Sequence, residues 1–213
     1  MNDLGGARDG TGKGHNMADH VVEEIKKAGG EAAVNYDDVS TVAGGQNILK
    51  GALAAFDRVD LLVNNASRLG PSPQPPLHAY PLGELERVYA VNVIAPLALA
   101  QLALPRMDEG AMILNVTSDA AVEAYEGWGG YGSSKAALEQ MTRILAAEHP
   151  QLRVHAVDPG DMTTQMHQEA FPGEDISDRP PPEDSVPGFI ALIEGDQASG
   201  RFQASRVAPA VGA

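Results

Sequence analysis

Short apolar runs with strand character alternate along this chain with longer segments of helical period, and that alternation admits few folds. Strand-like runs fall near residues 31–36, 59–65, 111–117, 152–157 and 201–207, and helical patterns near 16–28, 43–56, 83–106 and 131–148. Apolar runs of about four to eight residues bounded by turn residues suit strands buried on both faces, and strands interleaved with helices build a parallel sheet covered on both sides. The expected fold class is therefore α/β: a doubly wound parallel sheet in three layers, α/β/α. At 213 residues, with apolar segments evenly spread, a single domain over 1–213 is expected.

Composition removes several classes of function. The chain carries 15 basic and 29 acidic residues, a net charge of −14. That balance opposes attraction to nucleic acid or to an anionic membrane surface, so neither is an expected partner. Cysteine is absent, which excludes disulfides, thiol chemistry and zinc–thiolate sites and points to a reducing, cytoplasmic setting. The six histidines are scattered, so no metal site is expected. Val88 to Leu104 is long and apolar, but Asn92, Pro96 and Gln101 interrupt it, as in a helix that a soluble domain buries.

Three strand-like runs end in small or polar residues: Asp60 to Ser67, Ile113 to Ser118 and Val154 to Gly160. In open parallel sheets, ligands and catalytic groups sit at such carboxyl ends. Shortly after Ser118, Tyr131 and Lys135 stand one helical turn apart. Positions i and i+4 share a helix face, with Cβ atoms about 5–6 Å apart. A free phenol, with a pKa of about 10, is a poor base. An ammonium about 4 Å away at an effective dielectric near 20 is worth about 4 kcal/mol, or roughly three pKa units, which would bring the tyrosine into use near neutrality.

These pieces together resemble the short-chain dehydrogenase/reductase family, a Rossmann-like fold. Asn64-Asn65-Ala66-Ser67 matches its Asn-Asn-Ala-Gly segment, with Ser67 in place of the glycine; Asn92 matches its catalytic asparagine; Ser118, Tyr131 and Lys135 match its catalytic trio; and Pro159-Gly160-Asp161-Met162-Thr163-Thr164 matches its Pro-Gly-x-x-x-Thr segment. The resemblance implies an NAD(P)-dependent oxidoreductase that interconverts a small alcohol and a ketone or aldehyde. Tyr131 would exchange the proton, Ser118 orient the substrate oxygen, Lys135 lower the Tyr131 pKa and grip the nicotinamide ribose, and Asn92 hold a relay water. For the cofactor it implies Asp3 at the adenosine ribose, Asp38 and Val39 at the adenine, Asn64 and Ala66 along the cleft, Pro159 and Gly160 beside it, and Thr164 at the carboxamide. A carboxylate at Asp3 repels a 2′-phosphate and so favours NAD over NADP.

The family's opening strand and glycine-rich turn, which hold the pyrophosphate on a helix N-terminus, have no counterpart here, so the first βα unit is expected to be missing and the sheet to have a gap beside it. Gly10-Thr11-Gly12-Lys13-Gly14 has neither a preceding strand nor the spacing to replace that turn and reads as a flexible loop. Residues 1–39 resemble the hydroxyacyl-CoA dehydrogenase part of peroxisomal multifunctional enzymes. The proline-laden stretch 161–187 is expected to be a substrate lid. The lone His167 within it is expected to be solvent-exposed, and Trp128 to be either a pocket wall or a core anchor. The family's interface helices imply a homodimer or homotetramer. A second reading is a non-catalytic oligomeric scaffold that cannot hold a dinucleotide. NADH titration separates the two.

Overall fold

The computed structural model describes residues 1–3 and 16–207. The loop expected at Gly10 to Gly14 lies outside these residues. The chain divides into two compact units, Met1–Val59 with Leu97–Met107, and Asp60–Pro96 with Asp108–Ala213.

The first unit holds α1 (Asn16–Lys27) and α2 (Val42–Phe56). The strand expected over 31–36 is reduced to one parallel bridge between Asn2 and Asn35. Side chains reinforce that bridge, since Asn2 Nδ2 donates to Asn35 Oδ1 at 2.7 Å and to the Asp37 carbonyl at 3.0 Å. α2 starts where the Thr41 hydroxyl accepts from Gly44 N–H, and it stops at Asp57, whose φ of 61° is left-handed.

The second unit is built on a parallel sheet of β1 (Leu61–Asn64), β2 (Met112–Val116), β3 (Arg153–Asp158) and β4 (Gly200–Gln203), paired in that order. β1 is an edge strand. Alternation splits the sheet into two faces. Ile113, Asn115, Val154 and Ala156 face α5 (Gly129–Glu148), where Asn115 Nδ2 donates to Thr142 Oγ1 at 2.9 Å. Met112, Leu114 and Val157 pack instead on Leu192 of α7 (Val186–Glu194). The result is the expected Rossmann-like layering of helix, sheet and helix.

α7 has no basic residue in its own last turn. Arg153, at the start of β3, supplies the missing cation and donates to the carbonyls of Leu192, Ile193 and Gly195 at the helix C-terminus. Gly188 lets α7 approach the sheet end, because a Cβ there would meet the Ala204 carbonyl oxygen at 2.1 Å. The 186–194 helix was not anticipated, although its apolar run with a proline in the first turn is the sequence signal for one.

The helix expected over 83–106 is divided into α3 (Leu82–Tyr89), a π turn (Ala90–Ile94) and α4 (Ala95–Ala103). By length and composition alone, Leu82–Arg106 could cross a membrane. The stretch is laid inward at Val88, Asn92, Ala95 and Ala100, all at most 3% exposed.

His155 is fully buried on β3, edge-on to the Phe202 ring, and neither imidazole nitrogen meets a hydrogen-bond partner among the described residues. Burial, and then the Arg153 charge, push its pKa down to about 4. The unfolded chain takes up that proton near a pKa of about 6.5, so between these values the unfolded state binds more protons and stability falls as pH falls, by up to about 3 kcal/mol. His155→Leu should therefore lose less Tm than the parent chain between about pH 7 and about pH 4.5. Equal losses would remove His155 from the acid response.

Candidate active site

α5 carries its buried side chains in one stripe of helical spacing, Tyr131, Lys135, Leu138, Glu139, Thr142 and Leu145. The stripe lays the first two at the carboxyl ends of β2 and β3. Tyr131 is 8% exposed, and Lys135 Nζ lies 5.5 Å from its ring centroid. The hydroxyls of Ser67 and Ser118 lie near enough to the phenol to lower its pKa, while Ser67 Oγ donates to Asn92 Oδ1 at 3.3 Å and Ser118 Oγ to Asp119 Oδ1 at 2.9 Å. Ser118, Asp119, Tyr131, Asp158, Pro159, Gly160 and Thr164 line one cavity.

The expected electrostatics are not what this geometry gives. Burial pushes the Tyr131 pKa up to about 12, the two hydroxyls pull it down, and the Asp158 and Asp119 carboxylates raise it further. Lys135 does not offset this. It is 2% exposed, its Nζ donates to the Val116 carbonyl at 2.8 Å, and burial lowers its own pKa to about 8. The i, i+4 spacing brings the ammonium near the ring, while desolvation, which the sequence does not reveal, governs both groups.

Asn92 sits in the π turn with no exposed surface. Its Oδ1 accepts from Arg68 N–H at 2.8 Å, and its Nδ2 donates to the Arg68 carbonyl and to Ser134 Oγ, both at 2.9 Å. The side chain thus pins the loop after β1 to α5. Asn64 is likewise committed, donating to Asn115 Oδ1 at 2.7 Å inside the sheet, while Ala66 is exposed beyond the end of β1. Neither lines the cavity. Gly160 takes a φ of +83°, which favours glycine, and its N–H donates to Asp158 Oδ1. Thr164 caps α6 (Gln165–Ala170), accepting from His167 N–H at 3.1 Å. In the first unit, Asp3 N–H donates to the Asn35 carbonyl, Asp38 Oδ1 accepts from Ser40, and Val39 is half-buried in the same turn.

Several site residues were missed. Ser67, read only as a departure from a family glycine, faces the phenol. Asp158 and Asp119 charge the cavity wall. His167, expected to be exposed, is 11% exposed in its side chain, with Nδ1 4.0 Å from Asp161 Oδ1. Trp128 fills both of its anticipated roles, as a wall of the cavity and as packing on the Leu69, Ala120 and Tyr131 cluster. Within 161–187, α6 and a 3₁₀ turn at Pro182–Ser185 replace the aperiodic loop. Arg201 donates to Glu139 Oε1 at 2.8 Å, to Asp158 Oδ2 at 3.2 Å and to the Ser118 carbonyl at 3.3 Å, tying α5, β3 and the end of β2 behind the cavity.

Gly130, next to Tyr131, has no room for a side chain: a Cβ there would meet the Tyr80 hydroxyl at 2.2 Å. Gly130→Ala should destabilise the chain by about 1–3 kcal/mol. A Tm equal to that of the parent would show that Tyr80 moves aside freely.

A signature described as short chain dehydrogenase matches residues 10–175. A short-chain type dehydrogenase/reductase of Mycobacterium tuberculosis is 34% identical over 196 residues, covering 91% of this chain and 65% of that protein. Peroxisomal multifunctional enzyme A of Dictyostelium discoideum is 32% identical, covering 92% of this chain and 44% of that protein. The chain thus spans less than two thirds of the length of either relative. Among solved structures, a short chain dehydrogenase of Shigella flexneri complexed with NADP aligns with a TM-score of 0.78 at 28% identity, covering 88% of this chain and 80% of that one.

Proposed function

Because the chain belongs to the short chain dehydrogenase family, we propose that it is an NAD(P)-dependent oxidoreductase interconverting a small alcohol and its ketone or aldehyde at Tyr131, Ser118 and Lys135. The observation that carries this reading is the Tyr131 phenol flanked by the Ser67 and Ser118 hydroxyls at the wall of a cavity, with the Lys135 ammonium over its ring.

Tyr131 exchanges the proton with the substrate oxygen. With its pKa near 12 in the free chain, the phenol is protonated at neutral pH and so is set to donate, which suits carbonyl reduction. Alcohol oxidation needs the phenolate and therefore accelerates as pH rises. Ser118 holds the substrate oxygen, and Ser67 shares the phenol. Lys135 keeps its charge below about pH 8 and loses it above. Asn92 fixes the loop that presents Ser67, as a positioning residue that also matches the family's relay asparagine.

The nicotinamide group, when bound, supplies or accepts the hydride. The residues near the cavity fit it: a buried ammonium, a threonine hydroxyl and a left-handed glycine turn at the ends of the strands. Lys135, Pro159, Gly160 and Thr164 would hold its nicotinamide half, while Asn64, Ala66, Asp3, Asp38 and Val39 keep the cofactor roles that the family resemblance assigns to them. Asp3 favours NAD over NADP, since its carboxylate disfavours a 2′-phosphate. We take 161–187 as the substrate lid. We also take a homodimer or homotetramer as the working assembly, supported by the exposed apolar Leu82, Ile94 and Ile144. A cytoplasmic setting is supported by the absence of cysteine.

The test is consumption of NADH and of NADPH with a panel of small ketones, beside direct NADH titration. Turnover with NADH preferred supports the reading. A folded chain that binds neither cofactor into the millimolar range overturns it.

A further inference from the structure

The cavity beside Tyr131 measures about 100 Å³, well below the roughly 300–1,000 Å³ of common ligand sites. Leu69, Trp128, Met162, Met166 and Ala170 form one apolar side of its wall. The Trp128 ring meets Tyr131 at 5.8 Å between centroids, edge-on, and Phe171 at 5.8 Å, tilted. A bound body therefore meets apolar and aromatic surface on one side and the carboxylates and hydroxyls of Ser118, Asp119, Asp158 and Thr164 on the other.

The charged groups lining this cavity are acidic. Asp119, Asp158 and Asp161 contribute carboxylates, and among the described residues no lysine or arginine lines it. The nearby guanidinium groups are already engaged, Arg201 with Asp158 and Glu139, and Arg179 with Asp161 and Asp178. His167 also lines the cavity, with Nδ1 4.0 Å from Asp161 Oδ1. An anionic substrate would give up water to enter, meet like charge and find no partner.

We infer, resting on the oxidoreductase reading, that the substrate is a compact, uncharged alcohol or ketone with an apolar body, and that Asp161 is a specificity-determining residue that rejects anionic analogues. Both parts can be read without catalysis, because Trp128 is the only tryptophan in the chain and stands in the wall.

The experiment titrates the full chain with cyclohexanone and with cyclohexanecarboxylate, two probes of the same ring size, following Trp128 fluorescence. Asp161→Asn is run alongside; Asp161 is exposed, so the variant keeps the packed core. The expected result is a saturable response to the ketone, a carboxylate at least tenfold weaker, and a gap at least threefold narrower in Asp161→Asn. A carboxylate that binds as tightly as the ketone, or no response to either probe, overturns the inference, and an unchanged gap in the variant overturns the role of Asp161. Failure of the oxidoreductase reading is distinct: reduced nicotinamide would be neither bound nor consumed while the preference for the uncharged ring stands.

Discussion

Replacing Tyr131 with phenylalanine is expected to lower turnover by about 10²–10⁴-fold while leaving the fold intact. The ring keeps its edge-on contact with Trp128 and its place in the Leu69 and Ala120 cluster, because only the hydroxyl is removed. The lost atom is the one that Ser67 and Ser118 address, and no other group lining the cavity carries a phenol's proton at neutral pH. Thermal unfolding within a degree or two of the parent, together with collapsed carbonyl reduction, is the predicted pair of observations. The pH profile is a second check: oxidation by the parent should rise toward alkaline pH, and that dependence should vanish in Tyr131→Phe. Undiminished turnover in the variant would remove the proposed proton transfer altogether.

Arg201→Met is the substitution expected to hurt stability most. Glu139 and Asp158 have side chains 2% and 3% exposed, and the Arg201 guanidinium contacts both. Glu139 keeps Arg143 at 3.3 Å and the Thr117 hydroxyl at 2.9 Å, but Asp158 has no other cation bridged to it among the described residues. Stranding a buried charge in this way costs about 3–5 kcal/mol, a large part of the roughly 5–15 kcal/mol that holds a domain folded. Urea unfolding at neutral pH measures the deficit. Arg201→Lys should recover part of the loss, since an ammonium reaches one carboxylate and not the whole fork. A deficit below about 1 kcal/mol at neutral pH would show that solvent rescues the pair.

The sheet was legible because short apolar runs, Met112 to Leu114 in β2 and Ala156 with Val157 in β3, recur between helical segments and suit burial on both faces. Ser118, Tyr131 and Lys135 were legible because a strand end and a helical i, i+4 pair are local features. What could not be read depends on contacts far apart in sequence. Arg201 meets Glu139 across 62 residues and the Ser118 carbonyl across 83, and nothing near position 201 announces either. The sign of the Tyr131 shift was misjudged for the same reason: spacing shows how near the ammonium lies but not how much water has been removed. The π turn at Ala90–Ile94 interrupts a stretch with an unbroken helical pattern, because a one-residue change of winding leaves no compositional mark. The strand expected over 31–36 shrank to a bridge at Asn35 because a strand is defined by its neighbour, which sequence pattern cannot supply.

The guanidinium of Arg153 binds carbonyls 39 to 42 residues further along the chain, and so couples two segments that would otherwise open independently. Amide protons in the last turn of α7 and at the head of β3 should then exchange with solvent as one cooperative block, at a shared free energy of opening.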